Sequence, residues 1–196
     1  MDLVVGRRQH PDAVRNLPNL LSFARLVAVP VAIWLMLSGE FDWAFWLFVA
    51  AGATDAIDGF LAKRFGWESE LGSYLDPLAD KALLVSVFLV LGLTGHLPLW
   101  LTIMVIFRDC AIVAGAIVVI AMTGEFKADP MWISKLNTTL QIVLAACVLA
   151  ELGVGLDWDT LRPYAIAATA ATTFGSGLAY TVRWTRRLAQ REDGVR

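Results

Sequence analysis

Charge is scarce in this chain, and histidine and cysteine are scarcer. Only 17% of its 196 residues are charged, where a soluble domain carries about 25%. Cys110 and Cys147 both lie inside apolar runs. Neither has the spacing of a zinc or redox motif, so both read as small buried hydrophobes. His10 and His96 are isolated and near loops, and neither is assigned a role. No internal repeat, low-complexity tract or linker breaks the chain, which is expected to form a single domain over residues 1–196. The net charge of −2 by itself says nothing about partners.

What the chain has instead is apolar sequence. Hydrophobic residues make up 58% of it, and its mean hydropathy is +0.63. Six segments stand out, at Leu20–Leu37, Trp43–Ala62, Leu75–Leu93, Leu97–Met122, Ile133–Leu152 and Arg162–Thr181. Each can cross a hydrocarbon layer about 30 Å thick at roughly 1.5 Å per residue, some with tilt. The competing reading is a soluble all-helical core. A chain this short cannot bury so many apolar runs away from water, so the expectation is an all-α polytopic membrane protein with six transmembrane helices. The first run begins well inside the chain and five more follow, so it reads as a retained helix and not a cleaved signal.

The few charges are unevenly placed. The connections "SGEFD", "TGH" and "ELGVGLDWDT" contain no Lys or Arg. The other side carries Arg7, Arg8, Arg15, Lys63, Arg64, Lys127, Arg183, Arg186, Arg187, Arg191 and Arg196. By the positive-inside rule, both termini and the second and fourth connections face the cytoplasm. Trp43, Trp100 and Trp158 fit an aromatic belt at the opposite ends.

Against this background, the stretch "TDAIDGFLAKRFGWESELGSYLDPLADK" is anomalous. It holds Asp55, Asp58, Asp76 and Asp80 between apolar flanks. From helix rise, Asp55 and Asp58 lie about 18 Å and 22 Å along a span that enters from outside, and Asp76 and Asp80 about 3 Å and 9 Å along one that returns. The pairs thus reach similar depths near the cytoplasmic face, on helices consecutive in the chain and expected to be adjacent. Spacings of i,i+3 and i,i+4 put each pair on one helix face. Pro77 suits a helix's first turn, with Asp76 near the N-cap. Four close carboxylates repel, and each costs several kcal/mol to desolvate unpaired. Lys63, Arg64 and Lys81 offset part of that cost. Short, hard oxygen donors that converge are also what Mg²⁺ or Mn²⁺ requires, and two such ions balance four negative charges. Two other readings stand beside this one. The acids could form ion pairs that fix packing, or they could line an ion-coupled transporter's path. Clustering at one membrane face and not the midplane counts against the transporter.

The same residues resemble the signature of the CDP-alcohol phosphatidyltransferase family, D-x2-D-G-x2-A-R-x8-G-x3-D-x3-D. Asp55, Asp58, Gly59, Ala62, Gly72, Asp76 and Asp80 fall in register, seven of eight fixed positions. Lys63 replaces the usual Arg, which keeps the charge and loses the bidentate fork. The resemblance implies six membrane helices and transfer of a phosphatidyl group from a CDP-linked lipid to an alcohol, with release of CMP. It implies two Mg²⁺ or Mn²⁺ ions on the four aspartates, with Asp80 also the general base. It places Asn19, Arg25, Asp55, Gly59, Ala62, Lys63, Gly72 and Ser73 at the nucleotide. It further implies a homodimer in a lipid bilayer, here a bacterial inner membrane, with a cytoplasmic active site and no nucleic-acid partner. An inactive scaffold with a surviving signature is a weaker alternative.

The acceptor rests on other segments. "NLPNLLSFARLVAVP" resembles the first helix of cardiolipin synthases and phosphatidylglycerophosphate synthases, with Asn19, Ser22 and Arg25 polar. Asn19 and Ser22 serve either the nucleotide or the helix cap. "IFRDCAIVAG" sets Arg108 and Asp109 inside a span, as an internal pair or as a binder of the acceptor's phosphate. Lys135 in "WISKLNTTLQ" either joins that phosphate or snorkels to the interface. The "RD" and "ISKxNTxxQ" pattern resembles eukaryotic-type cardiolipin synthases, whose acceptor is phosphatidylglycerol. Relatives that use glycerol-3-phosphate more often carry "SRE" and "GKxKT". Serine and inositol acceptors rank lower, by resemblance alone.

Overall fold

A computed structural model describes residues 17–65, 70–123 and 131–194, with side chains over 23–55, 81–115, 117–118 and 131–185. Six helices follow one another: α1 Leu17–Leu37, α2 Phe41–Phe65, α3 Glu70–Leu93, α4 Leu99–Thr123, α5 Trp132–Val154 and α6 Arg162–Gly194. There is no strand among the described residues. Each helix covers one of the expected apolar segments. The helices run further than the apolar count suggested at the end where the basic residues collect, because polar residues continue a helix once it leaves an apolar environment. Among the described residues, α5 is the one helix long and apolar enough throughout to cross a membrane by length and composition. Large apolar side chains nevertheless point outward along the molecule, among them Phe23, Trp34, Trp46, Ile103, Phe107 and Phe174.

The interior divides along the helix axes. One end is an apolar core of Ala32 and Met36 from α1, Ala44 and Phe48 from α2, Val87, Phe88 and Leu91 from α3, Leu101 and Val105 from α4, and Leu144, Val148 and Leu149 from α5. These residues lie toward the three connections that lack Lys and Arg. The buried polar groups Arg25, Arg108, Asp109, Asn137, Thr173 and Ser176 lie toward the other end.

Two expectations are corrected by the helix register, and a third by burial. Asp76 is the seventh residue of α3, so it is not the cap, and Pro77 lies beyond the first turn. The "ELGS" run before them is polar but helix-compatible, so the helix already runs before Asp76. Likewise α1 begins at Leu17, so neither Asn19 nor Ser22 occupies its N-cap. Trp158 is no belt residue. It is buried, and its indole Nε1 donates to Glu151 Oε2 at 2.7 Å, whereas Trp43 and Trp100 are exposed.

The apolar end is closed by a polar clamp. Glu151 also accepts from Arg162 Nη1 at 2.8 Å, and Arg162 Nη2 donates to the His96 carbonyl. Arg162, the one Lys or Arg described at this end, is thereby paired and ties the α5–α6 connection to the α3–α4 turn. The His96 ring packs edge-on against Phe41 with centroids 5.2 Å apart. At the end of α5, Gly155 adopts φ 73° and its N–H caps the Ala150 carbonyl, a left-handed stop that glycine takes without steric cost. Gly153 serves a different need. A Cβ there would lie 2.6 Å from the Asp42 backbone, so α5 and the start of α2 meet at van der Waals contact. Backbone cannot yield as a side chain can. Gly153→Ala is therefore expected to cost about 1–3 kcal/mol by overpacking, read as a lower melting temperature in detergent. An unchanged melting temperature would show that the helices can separate freely at that point.

Candidate active site

The acids come to matching heights by simple counting. Asp55 is ten residues before the end of α2, and Asp80 ten residues after the start of α3. Both therefore stand about 15 Å up their helices from the 66–69 connection. Asp58 and Asp76 stand nearer it, at about 10 Å and 9 Å. The side chains of Asp58, Gly59, Ala62, Lys63, Gly72, Ser73, Asp76, Asp80 and Asn19 lie outside the described residues.

Among the described residues, α1 packs against both α2 and α3. Helix α1 thus adds a wall to the site, and that wall supplies a cation. Buried Arg25 reaches from α1 to Asp55 on α2, with Nη1 3.0 Å from Oδ1. Asp55 keeps 45% of its side chain exposed, so one carboxylate edge remains open to a ligand. All four donors are carboxylate oxygens, a set that fits a hard divalent cation. Asp55, the described member, already faces positive charge. No group of three or more His, Cys, Asp or Glu gathers among the described residues, which leave out the side chains of three of the four aspartates.

A second polar constellation is described in full. Arg108 on α4 is 4% exposed. Its Nη1 donates to Asp109 Oδ1 at 2.6 Å, its Nη2 to Ser134 Oγ on α5 at 2.7 Å, and its Nε to Ser176 Oγ on α6 at 3.2 Å. Nη2 also donates to the same Ser176 oxygen. The internal Arg–Asp pair is present, then, but it is only part of the arrangement. Lys81, the residue after Asp80, lies 3.6 Å from Asp109 Oδ2. Lys135 is exposed and makes no described contact with Arg108.

The "ISKLNTTLQ" residues explain themselves as a helix face. Ser134, Asn137 and Gln141 recur at i, i+3 and i+7, which brings them to one side of α5. There α5 packs against α6. Asn137 Oδ1 accepts from Thr172 at 2.9 Å and Thr173 at 2.8 Å. Deeper in, both amide atoms of Gln141 and the hydroxyl of Thr169 are buried without a protein partner. Ser176, Thr169 and Thr173 were not legible as site residues in the sequence. Their only signal was the run of small polar residues "TAATTFGS", at helical spacing within an apolar segment.

The model of the CDP-alcohol phosphatidyltransferase family matches residues 15–175. A Streptomyces coelicolor cardiolipin synthase (CMP-forming) is 38% identical over 187 residues, covering 90% of this chain and 81% of that protein. The human cardiolipin synthase (CMP-forming) is 35% identical over 194 residues, covering 89% and 64%. A rice chloroplastic CDP-diacylglycerol–glycerol-3-phosphate 3-phosphatidyltransferase is 34% identical over 187 residues, covering 84% and 57%. The chain thus spans about 57% of the rice relative's own length and 64% of the human one's.

Proposed function

This chain belongs to the CDP-alcohol phosphatidyltransferase family, and on that premise we propose that it moves the phosphatidyl group of CDP-diacylglycerol onto phosphatidylglycerol, giving cardiolipin and CMP. One observation carries the choice of acceptor. The "RD" and "ISKxNTxxQ" segments, which resemble cardiolipin synthases, are joined directly by the bond from Arg108 to Ser134. The Streptomyces and human relatives, both named cardiolipin synthase, support the same reading. The rice relative, named for glycerol-3-phosphate, supports that alcohol as the second candidate.

In this reading, Asp55, Asp58, Asp76 and Asp80 hold two Mg²⁺ or Mn²⁺ ions. Bound there, the ions supply the positive charge that stabilises the diphosphate as CMP departs. Arg25, beside Asp55, steadies the nucleotide's phosphates, and Asn19, Gly59, Ala62, Lys63, Gly72 and Ser73 line the nucleotide. The acceptor hydroxyl attacks the phosphatidyl phosphorus. A new P–O bond forms, the P–O bond to CMP breaks, and Asp80 takes the hydroxyl's proton. Arg108 and Lys135 receive the acceptor's phosphate. Arg108 does so by exchanging its serine hydroxyls for phosphate oxygens, which add opposite charge and a bidentate grip that a hydroxyl lacks.

The proposed setting is a single-domain, six-span homodimer in a bacterial inner membrane, with both termini and the active site cytoplasmic. The outward apolar side chains and the one-sided Lys and Arg distribution support it. A lipid with water-insoluble tails and a water-soluble CDP head can react only near an interface.

An acceptor panel tests the reading. The purified chain is given CDP-diacylglycerol, Mg²⁺ or Mn²⁺ and, in turn, phosphatidylglycerol, glycerol-3-phosphate, serine and inositol phosphate. Cardiolipin and CMP are expected with phosphatidylglycerol. A product formed with glycerol-3-phosphate alone would replace cardiolipin synthesis with phosphatidylglycerophosphate synthesis. Ion-driven solute flux in proteoliposomes without CMP would point to a transporter.

A further inference from the structure

Asp109 is the one described carboxylate that touches two cations on different helices. Its Oδ1 holds Arg108 and its Oδ2 lies 3.6 Å from Lys81. Lys81 sits on α3 directly after Asp80, whereas the other edge of Arg108 reaches α5 and α6. The adjoining side chains Asp109 and Arg108 on α4 therefore connect the helix that carries the last two acids to the helices that present Ser134 and Ser176.

The contacts of Arg108 are of two kinds. Nη1 meets a full negative charge at 2.6 Å. The Nε–Nη2 edge, one that a carboxylate or phosphate grips bidentately, holds a single neutral oxygen, Ser176 Oγ. Ser134 Oγ sits on Nη2 beside it. A hydroxyl there is readily displaced by an anion, and the Asp109 carboxylate is not. The three charged groups sum to one net positive charge, set beside a fork whose orientation depends on its anchor.

The geometry points to Asp109 as a positioning residue for the transfer. By holding Nη1 it aims the Nε–Nη2 edge of Arg108 at the Ser134–Ser176 side, and by holding Lys81 it fixes that edge relative to α3. This inference rests on the proposed reading, in which that edge receives the acceptor's phosphate.

The test is a split of Michaelis constants in the purified full chain, with CDP-diacylglycerol and the acceptor that the panel identifies. Asp109→Asn keeps the shape and removes the charge. It is expected to raise the acceptor's KM about tenfold, the scale of one lost charge-assisted bond, with the KM for CDP-diacylglycerol within twofold of wild type. An unchanged acceptor KM overturns the inference. So does a lower one, which would mean that removing negative charge simply favours the anion. A parallel change in both constants, or a loss of kcat alone from fewer folded molecules, also overturns it, because a merely structural role gives that result. If the asparagine variant does not fold, Asp109→Glu carries the test, with an acceptor-selective rise of about threefold expected from a misplaced charge-assisted bond and no rise overturning it. A wild-type chain that releases no CMP would sink the transfer reading itself. An active wild type with an insensitive Asp109 would sink this inference alone.

Discussion

Replacing Asp80 with asparagine is expected to lower CMP release from CDP-diacylglycerol by about a thousandfold, within the range of a lost general base. The substitution keeps the side chain's size and removes both its basicity and one of the four negative charges. On α3 this residue is the last of the acids, ten residues above the 66–69 connection and level with Asp55. That height suits an alcohol arriving from the Arg108 side, because Lys81, its chain neighbour, already touches Asp109. The measurement is CMP formed per minute by the purified variant, after size-exclusion chromatography shows that it elutes as wild type. Raising Mg²⁺ or Mn²⁺ separates the two roles given to this residue. Activity restored by more metal would leave it a ligand and remove it as the base. Turnover near wild type would remove it from both.

Arg108→Ala is expected to destabilise the chain by about 3–5 kcal/mol, the usual cost of leaving one partner of a buried ion pair alone. Asp109 is 7% exposed and would keep only Lys81 at 3.6 Å. Ser134 and Ser176 would lose the donor that ties α5 and α6 to α4. Arg108→Lys retains charge but cannot supply Nε and both Nη groups at once, so it is expected to fall between the two. Thermal melting in detergent reads the effect. The double variant Arg108→Ala, Asp109→Ala should melt above Arg108→Ala alone, since it removes the uncompensated charge as well. A double variant that melts lower still would show that Asp109 stabilises through Lys81 more than through Arg108.

The elements that were legible in the sequence are those set by local rules. Six apolar segments became six helices, because a helix satisfies its own backbone and needs only length and propensity. The acids at 55, 58, 76 and 80 could be assigned to common faces for the same reason, since spacing along one helix is a local quantity. Helix starts were less legible. "ELGS" is polar but helical, so α3 already runs six residues before Asp76, and Leu17 precedes the expected cap at Asn19 or Ser22. Trp158 could be judged by composition only as a belt residue. Its partner Glu151 and the clamp with Arg162 span a connection whose path no spacing predicts.

By itself, the sequence determined the number and approximate placement of the helices, the side on which cations collect, and the spacing of the acids along α2 and α3. Only the tertiary structure decided that α1 packs on both of those helices and brings Arg25 to Asp55. The same holds for Arg108 reaching a serine 68 residues away on α6, and for Asp109 answering both Arg108 and Lys81. The physical reason is that helical periodicity defines which residues share a face, while the rotation of each helix about its axis, and therefore what that face meets, is set by packing against neighbours distant in the chain.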